Sequence, residues 1–231
     1  MAAASLTMQA SEILDYAQTN WSDYYKTVTE ISINKKTQQP LVKSDFRMYD
    51  FDDIVKNLFP QNTPTSADGL ILIPRKTILV EFKSGFFKKI TKGNFKSDKA
   101  ICEHLNAICS SYWELFFKKQ KLETQELIDS LKLKAVESYT IVEKHIAPIC
   151  SGSTVCHISL IVVIDCNSDD GIEDTLAELS GKSIRSNQCS AVRNSLRRYW
   201  GRRDVLGNPY YYLDLQVMSP IEFQHYLNSI S

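Results

Sequence analysis

The sequence predicts one α/β domain built on a mixed central sheet. Helical and strand-like periodicities alternate along the chain in the order α, β, α, β-hairpin, α, β, α, β, α. The run VCHISLIVVIDC reads as a largely apolar run, unbroken over LIVVI, the pattern of a strand covered on both faces. Upstream of it, GLILIP and TILVEF read as two short strands around the turn Pro74-Arg75.

Residues about 8–27 have the period of an amphipathic helix, with Ile13, Leu14, Ala17 and Trp21 on or near one face. TVTEISINKKTQQP is β-prone and ends in a polar turn. YDFDDIVKNLFP predicts a short helix capped by Asp50 or Asp52 and stopped by Pro60. The polar loop QNTPTSA leads into the hairpin, and SGFFKKITKGNFKSDK, punctuated by glycine and rich in lysine, leads out of it. From about Asp98 the period is helical: Ile101, Leu105, Ile108, Tyr112 and Leu115 step along one face, and Leu127, Leu131, Ala135, Tyr139, Val142 and Ile146 continue it. This is one long helix, or two joined near Lys121 to Thr124. SNQCSAVRNSLRRYW is a further helix and YYYLDLQVM a strand. SPIEFQHYLNSI closes the chain as a helix, with Ser219 as N-cap and Pro220 in its first position. The core of the domain is expected over about 45–218, with the N-terminal helix packed on it.

The chain has 231 residues, enough for one large domain or two small ones. Lys+Arg and Asp+Glu both number 27, so net charge predicts no polyanionic partner, and a nucleic-acid surface has to come from local clustering. No apolar run approaches the roughly 18 residues of a membrane span. The first residues, MAAASLTMQASEILDYAQTNW, have neither a basic leader region nor a long apolar core. No signal peptide and no membrane partner are expected, and the expected location is cytoplasmic. Among the six cysteines no pair has C-x-x-C spacing, so reduced, buried thiols are expected rather than a zinc or iron–sulfur site.

The hairpin carries three charges that its apolar strands do not need: Asp68, Glu81 and Lys83. Side chains alternate along a strand, so Ile78, Val80 and Phe82 share one face and Leu79, Glu81 and Lys83 the other. With a two-residue turn at Pro74-Arg75, Ile73 faces Lys76 and Asp68 faces Glu81; a three-residue loop would shift this by one. Two carboxylates directly opposite each other repel. A cation between them removes the repulsion, and hard oxygens suit Mg2+ or Mn2+. A lysine beside such a pair can hold an attacking water or stabilise charge on a phosphate. The plainer reading is a solvated ion pair on an edge hairpin. Against it, both strands read as covered on both faces, where charges are not simply solvated.

Asp68 near the start of one strand and Glu81-Phe82-Lys83 near the end of the next resemble the core motif of the PD-(D/E)xK nuclease superfamily. The following long helix and apolar strand also resemble its common core. The resemblance covers about 100 residues and implies a restriction-endonuclease-like mixed sheet flanked by helices, Mg2+ (or Mn2+), and cleavage of nucleic acid. It implies Asp68 and Glu81 as metal ligands and Lys83 as the catalytic lysine. Ala67 stands where the pattern has proline, and the later helix lacks the Gln-x-x-x-Tyr pattern of the RecB-like and Cas4-like branch. Many members add an acid from the first helix, and Glu12, Glu30, Asp52 and Asp53 are the candidates here.

Two basic segments could meet a phosphate backbone. The first holds Lys83, Lys88, Lys89, Lys92, Lys96 and Lys99, interleaved with Phe86, Phe87 and Phe95. The second, RNSLRRYWGRR, places Arg193 and Arg197 on one helix face; its alternative is a solvated face paired with acids elsewhere. The four histidines are scattered, and His104, soon after the hairpin, reads as a packed or surface residue. The expected function is therefore a divalent-metal-dependent nuclease, acting on DNA in preference to RNA, in phage defence, restriction or repair. The alternative is an inactive module of the same fold that binds nucleic acid or a protein. The long helices could pair two copies as a homodimer.

Overall fold

The structure, a computed structural model, describes residues 12–73, 76–84, 125–148, 158–165 and 184–230, with backbone alone for 184–191. Its centre is a six-stranded mixed sheet in the order β1-β4-β5-β6-β7-β8. The strands are β1 (Tyr25–Thr27), β4 (Arg47–Asp50), β5 (Gly69–Ile73), β6 (Lys76–Lys83), β7 (Ile158–Ile164) and β8 (Leu215–Met218). Strands β1, β4, β5 and β6 pair antiparallel in turn; β6, β7 and β8 pair parallel. A separate two-stranded ribbon joins β2 (Ile33–Asn34) to β3 (Gln39–Pro40).

Helices cover both faces. One apolar cluster joins α1 (residues 12–20), α3 (Phe51–Leu58), α4 (residues 125–148) and α5 (Ile184–Trp200) to Leu70, Leu79, Leu160, Val162 and Val217 of the sheet. The other joins α2 (Val28–Ile31) and α6 (Pro220–Ile230) to Ile71, Ile78, Val80, Ile161 and Val163. Alternate residues of β6 and β7 enter opposite clusters, as the two-residue period of a strand requires. Every residue of β7 is buried, Ser159 included, as its largely apolar run predicts. The apolar face predicted for residues 127–146 is the face of α4 that enters the first cluster. Near its end α4 widens into a π-helical turn, Val142–Ile146.

Several elements differ from what the sequence predicts. The helix predicted over about 8–27 ends at residue 20 among the described residues; a 3-10 turn, Ser22–Tyr24, and strand β1 follow. The β-prone stretch after it divides: Val28–Ile31 folds as α2, while Ile33–Asn34 and Gln39–Pro40 pair as β2 and β3 around a polar turn, as predicted. Thr27 caps that helix by accepting from the Glu30 N–H, while the Glu30 carboxylate accepts from Thr27 N–H at 2.7 Å. This reciprocal cap fixes the turn locally and outweighs the β-branched composition. Strand β4 is too short for its alternation to show in the sequence. The YYYLDLQVM strand is confined to Leu215–Met218, because Tyr212 turns its hydroxyl into the core to donate to the Ala135 carbonyl at 2.5 Å. Asp50, not Asp52, caps α3. Ser219 and Pro220 open α6 as predicted: the Ser219 hydroxyl accepts from Glu222 N–H at 3.3 Å, and the Glu222 carboxylate accepts from Ser219 N–H at 2.7 Å.

Candidate functional site

The hairpin pairs Ile73 with Lys76 and Gly69 with Val80, the register of a two-residue turn. Asp68 immediately precedes β5, level with the end of β6. Its Oδ2 accepts from Phe82 N–H at 2.7 Å, which fixes the carboxylate against the neighbouring strand. A Cβ on the next residue, Gly69, would stand 2.6 Å from Met48 Cε, so the missing side chain lets Met48 pass beneath this corner. Glu81 and Lys83 point to the face covered by α4, as alternation predicts. The corner lies at the carboxyl end of β6 and β7, where parallel strands of open α/β sheets present ligand sites.

Helix α4 lays a polar stripe along this corner. Ser130 Oγ accepts from Lys83 Nζ at 2.9 Å. Lys134 Nζ donates to Glu81 Oε2 at 2.9 Å and to Asp68 Oδ1 at 3.3 Å. Glu137 Oε2 accepts from the N–H of Thr65, and Ser138 Oγ accepts from Ala67 N–H at 2.7 Å. Positions 130, 134, 137 and 138 lie on one side of a helix. They border the apolar face at Leu131 and Ala135, so one surface of α4 serves both the core and the site.

The two carboxylates are together, and the cation between them in this structure is Lys134. Sequence reasoning misses this residue. The available signal is a lysine flanked by the core positions Leu131 and Ala135, but nothing in the sequence says which hairpin residue it meets. The Glu81 side chain is 3% exposed, and its Oε1 is buried without a hydrogen-bond partner. Burial, and next the Asp68 charge, push the Glu81 carboxyl well above its usual range against the pull of Lys134 and Lys83. Burial pulls the Lys134 ammonium down, but the charges of Glu81 and Asp68 outweigh it and leave it raised.

The upstream acids separate. Asp52, from α3, accepts from Ser66 Oγ at 2.9 Å and pairs with Lys56 at 2.9 Å. Burial raises its carboxyl, but Lys56 and Ser66, with a contribution from the Lys134 charge, bring it below the usual range. Asp53 is paired with Lys26 and Lys56, and Glu30 is used in the cap of α2. Among the described residues, no hydrogen bond or ion pair links Glu12 to the hairpin. The charge of the site lysine thus reaches Asp52.

The guanidinium groups of Arg193 and Arg197 turn toward the sheet. Arg193 donates to the Val217 carbonyl at 2.8 Å and Arg197 to the Leu215 carbonyl at 3.5 Å, so they tie α5 to β8. Lys88, Lys89, Lys92, Lys96 and His104 lie outside the described residues, as do the side chain of Cys189 and all of the other five cysteines.

Among the described residues, no three His, Cys, Asp or Glu side chains gather as a metal cluster. The donors of Asp68 and Glu81 still fit a hard divalent ion of the Mg2+ kind, which takes one or two carboxylates and keeps several waters. The free lone pairs of the buried Glu81 Oε1 are the observation that supports the fit. No described helix is long and apolar enough to cross a membrane. Neither a family model, nor a curated protein, nor a solved structure matches this chain.

Proposed function

We propose that this protein is a divalent-metal-dependent nuclease that hydrolyses phosphodiester bonds, with DNA as its substrate ahead of RNA, and that its sheet is a restriction-endonuclease-like core. The observation that carries this reading is the meeting of Asp68 and Glu81 at the carboxyl end of β6, with one Glu81 oxygen buried and unused. Two lysines accompany them, Lys83 on the same strand face and Lys134 from α4. A structural ion pair would consume its acceptors, and this one does not.

Asp68 and Glu81 would hold Mg2+ or Mn2+. Bound there, the ion would supply Lewis-acid polarisation of a phosphate oxygen and activation of a water. The chain's own contribution is position and charge. Phe82 N–H holds the Asp68 carboxylate in place. Ser130 holds the Lys83 ammonium at the mouth of the site, where it offsets negative charge growing on a phosphoryl group. Apolar packing of Leu79 and Val162 beneath the carboxylates keeps water from their floor.

Incubation of the purified protein with plasmid, single-stranded DNA and RNA, in Mg2+, Mn2+ or EDTA, tests this. Metal-dependent cleavage is expected, and Asp68→Asn or Glu81→Gln should slow it by about 100-fold or more. Cleavage that ignores EDTA, or full activity in either variant, overturns the assignment. The Lys134 pairing favours a second reading, a module of this fold that binds nucleic acid or protein without cutting. Nucleic-acid binding without cleavage under any metal would select it.

A further inference from the structure

We propose that Lys134 is a displaceable internal counter-ion: its ammonium stands in for the divalent cation between Asp68 and Glu81, metal expels it, and the freed ammonium turns toward the substrate phosphate. The proposal rests on the metal-dependent reading above and deepens it.

Lys134 Nζ is 2.9 Å from Glu81 Oε2 and 3.3 Å from Asp68 Oδ1, so it bonds the same two carboxylates that an ion would use. A divalent ion and an ammonium on one carboxylate pair repel strongly at such range, more so beside a buried Glu81 than in water. The lysine is also built to leave. The ammonium is a point charge on a flexible four-carbon stem, without the fixed fork that locks an arginine onto a carboxylate. The side chain is 26% exposed, which opens a path to solvent.

Departure of the ammonium does not release the helix. Three other contacts hold α4 against the same corner: Ser130 with Lys83, Glu137 with Thr65, and Ser138 with Ala67. The charge balance agrees. Asp68 and Glu81 are offset by Lys134 and by Lys83 on the same face; a divalent ion would put this group at an excess of two positive charges. A bound phosphodiester brings negative charge, and an ammonium that has left the carboxylates but remains anchored in α4 can meet it.

The test titrates Mn2+ alone into the full chain by calorimetry, for wild type, Lys134→Met and Lys83→Met. Lys134→Met is expected to bind Mn2+ about tenfold more tightly or better, because the competing cation is gone, while Lys83→Met changes affinity less. Amine acylation of the wild-type protein, read residue by residue, needs no variant. Labelling of Lys134 should rise severalfold in Mn2+ over EDTA, with the exposed Lys36 as the unchanged reference. Tight wild-type binding with equal or weaker binding by Lys134→Met, or labelling of Lys134 that ignores metal, overturns displacement and leaves the metal reading standing. No binding by any of the three proteins overturns both. Binding by Lys134→Met alone overturns displacement, because in the wild type the metal then fails to expel the lysine.

Discussion

Among the described residues Lys26, Lys56 and Lys134 each bridge a pair of carboxylates, and the pairs of Lys26 and Lys134 differ in what remains unused. Lys26 of β1 bonds Asp50 and Asp53, both at 2.8 Å. Every carboxylate oxygen there has a partner. Asp50 Oδ1 caps α3 by accepting from Asp53 N–H, and Asp53 Oδ1 accepts from Lys56. The side chains of Lys26, Asp50 and Asp53 are 35%, 15% and 37% exposed, so water shares their solvation. The bond from Lys26, with that from Lys56, holds the Asp53 carboxyl far below its usual range. The Lys134 group is drier at Glu81 and leaves Glu81 Oε1 without a partner. Similar distances therefore serve unlike ends. The first group fastens a helix start to a strand, and the second retains acceptors for something else.

The largest expected difference is in stability. Lys134→Met leaves two facing carboxylates with little solvent, and breaking such a partly buried pair should cost about 3 kcal/mol. Urea unfolding in EDTA measures it. Adding Glu81→Gln to that variant should return most of the loss, since it removes the stranded charge; an additive double variant would mean that Lys134 acts through packing alone.

A smaller effect has opposite pH signs in the two groups. The Glu81 carboxyl is raised in the folded state, so the folded chain keeps this proton above the ordinary value of 4.5; the stabilisation it gives is full below 4.5 and is lost as pH rises from there through the raised folded value. Glu81→Gln should therefore gain stability relative to wild type from pH 4.5 upward. The Asp53 carboxyl is lowered, so its contribution is present above 3.8 and lost as pH falls below that value. Asp53→Asn should lose stability at neutral pH, and the loss should shrink in acid. Thermal melts from acid to neutral pH would show both, and parallel slopes would erase the distinction.

The smallest effect is expected for Lys26→Met, about 1 kcal/mol or less, because exposed pairs are weakened by solvent and side-chain entropy. Added salt should reduce that difference further. A loss equal to that of Lys134→Met would show that burial does not separate the groups.

Much of this contrast is legible in the chain. A two-residue turn fixes hairpin register, and register alone brings Asp68 opposite Glu81, so that half of the site follows from residue numbers. The apolar run of β7 and the Ser-Pro start of α6 are equally local signals. Lys134 is not legible in the same way. Its place on α4 follows from the helical period, but which strand corner meets it depends on how α4 rotates and slides over the sheet. Arg193 and Arg197 show the same limit from the other side. Their spacing puts them on one face, and only tertiary packing turns that face to the carbonyls of β8. In α2 the local signal exists as the Thr27–Glu30 capping pair, yet the β-branched residues around it point elsewhere.

The polar stripe of α4 also makes the helix a gauge. Ser130, Lys134, Glu137 and Ser138 touch the hairpin and its lead-in loop through four neighbouring contacts on a single rod. A helix advances about 1.5 Å per residue, so a slip of one residue takes all four out of alignment together. The corner cannot loosen one contact at a time by moving α4; it is set or unset as a unit. Whatever shifts the far end of that helix would then be felt at Asp68 and Glu81 as a single step, like a key lifting several pins at once.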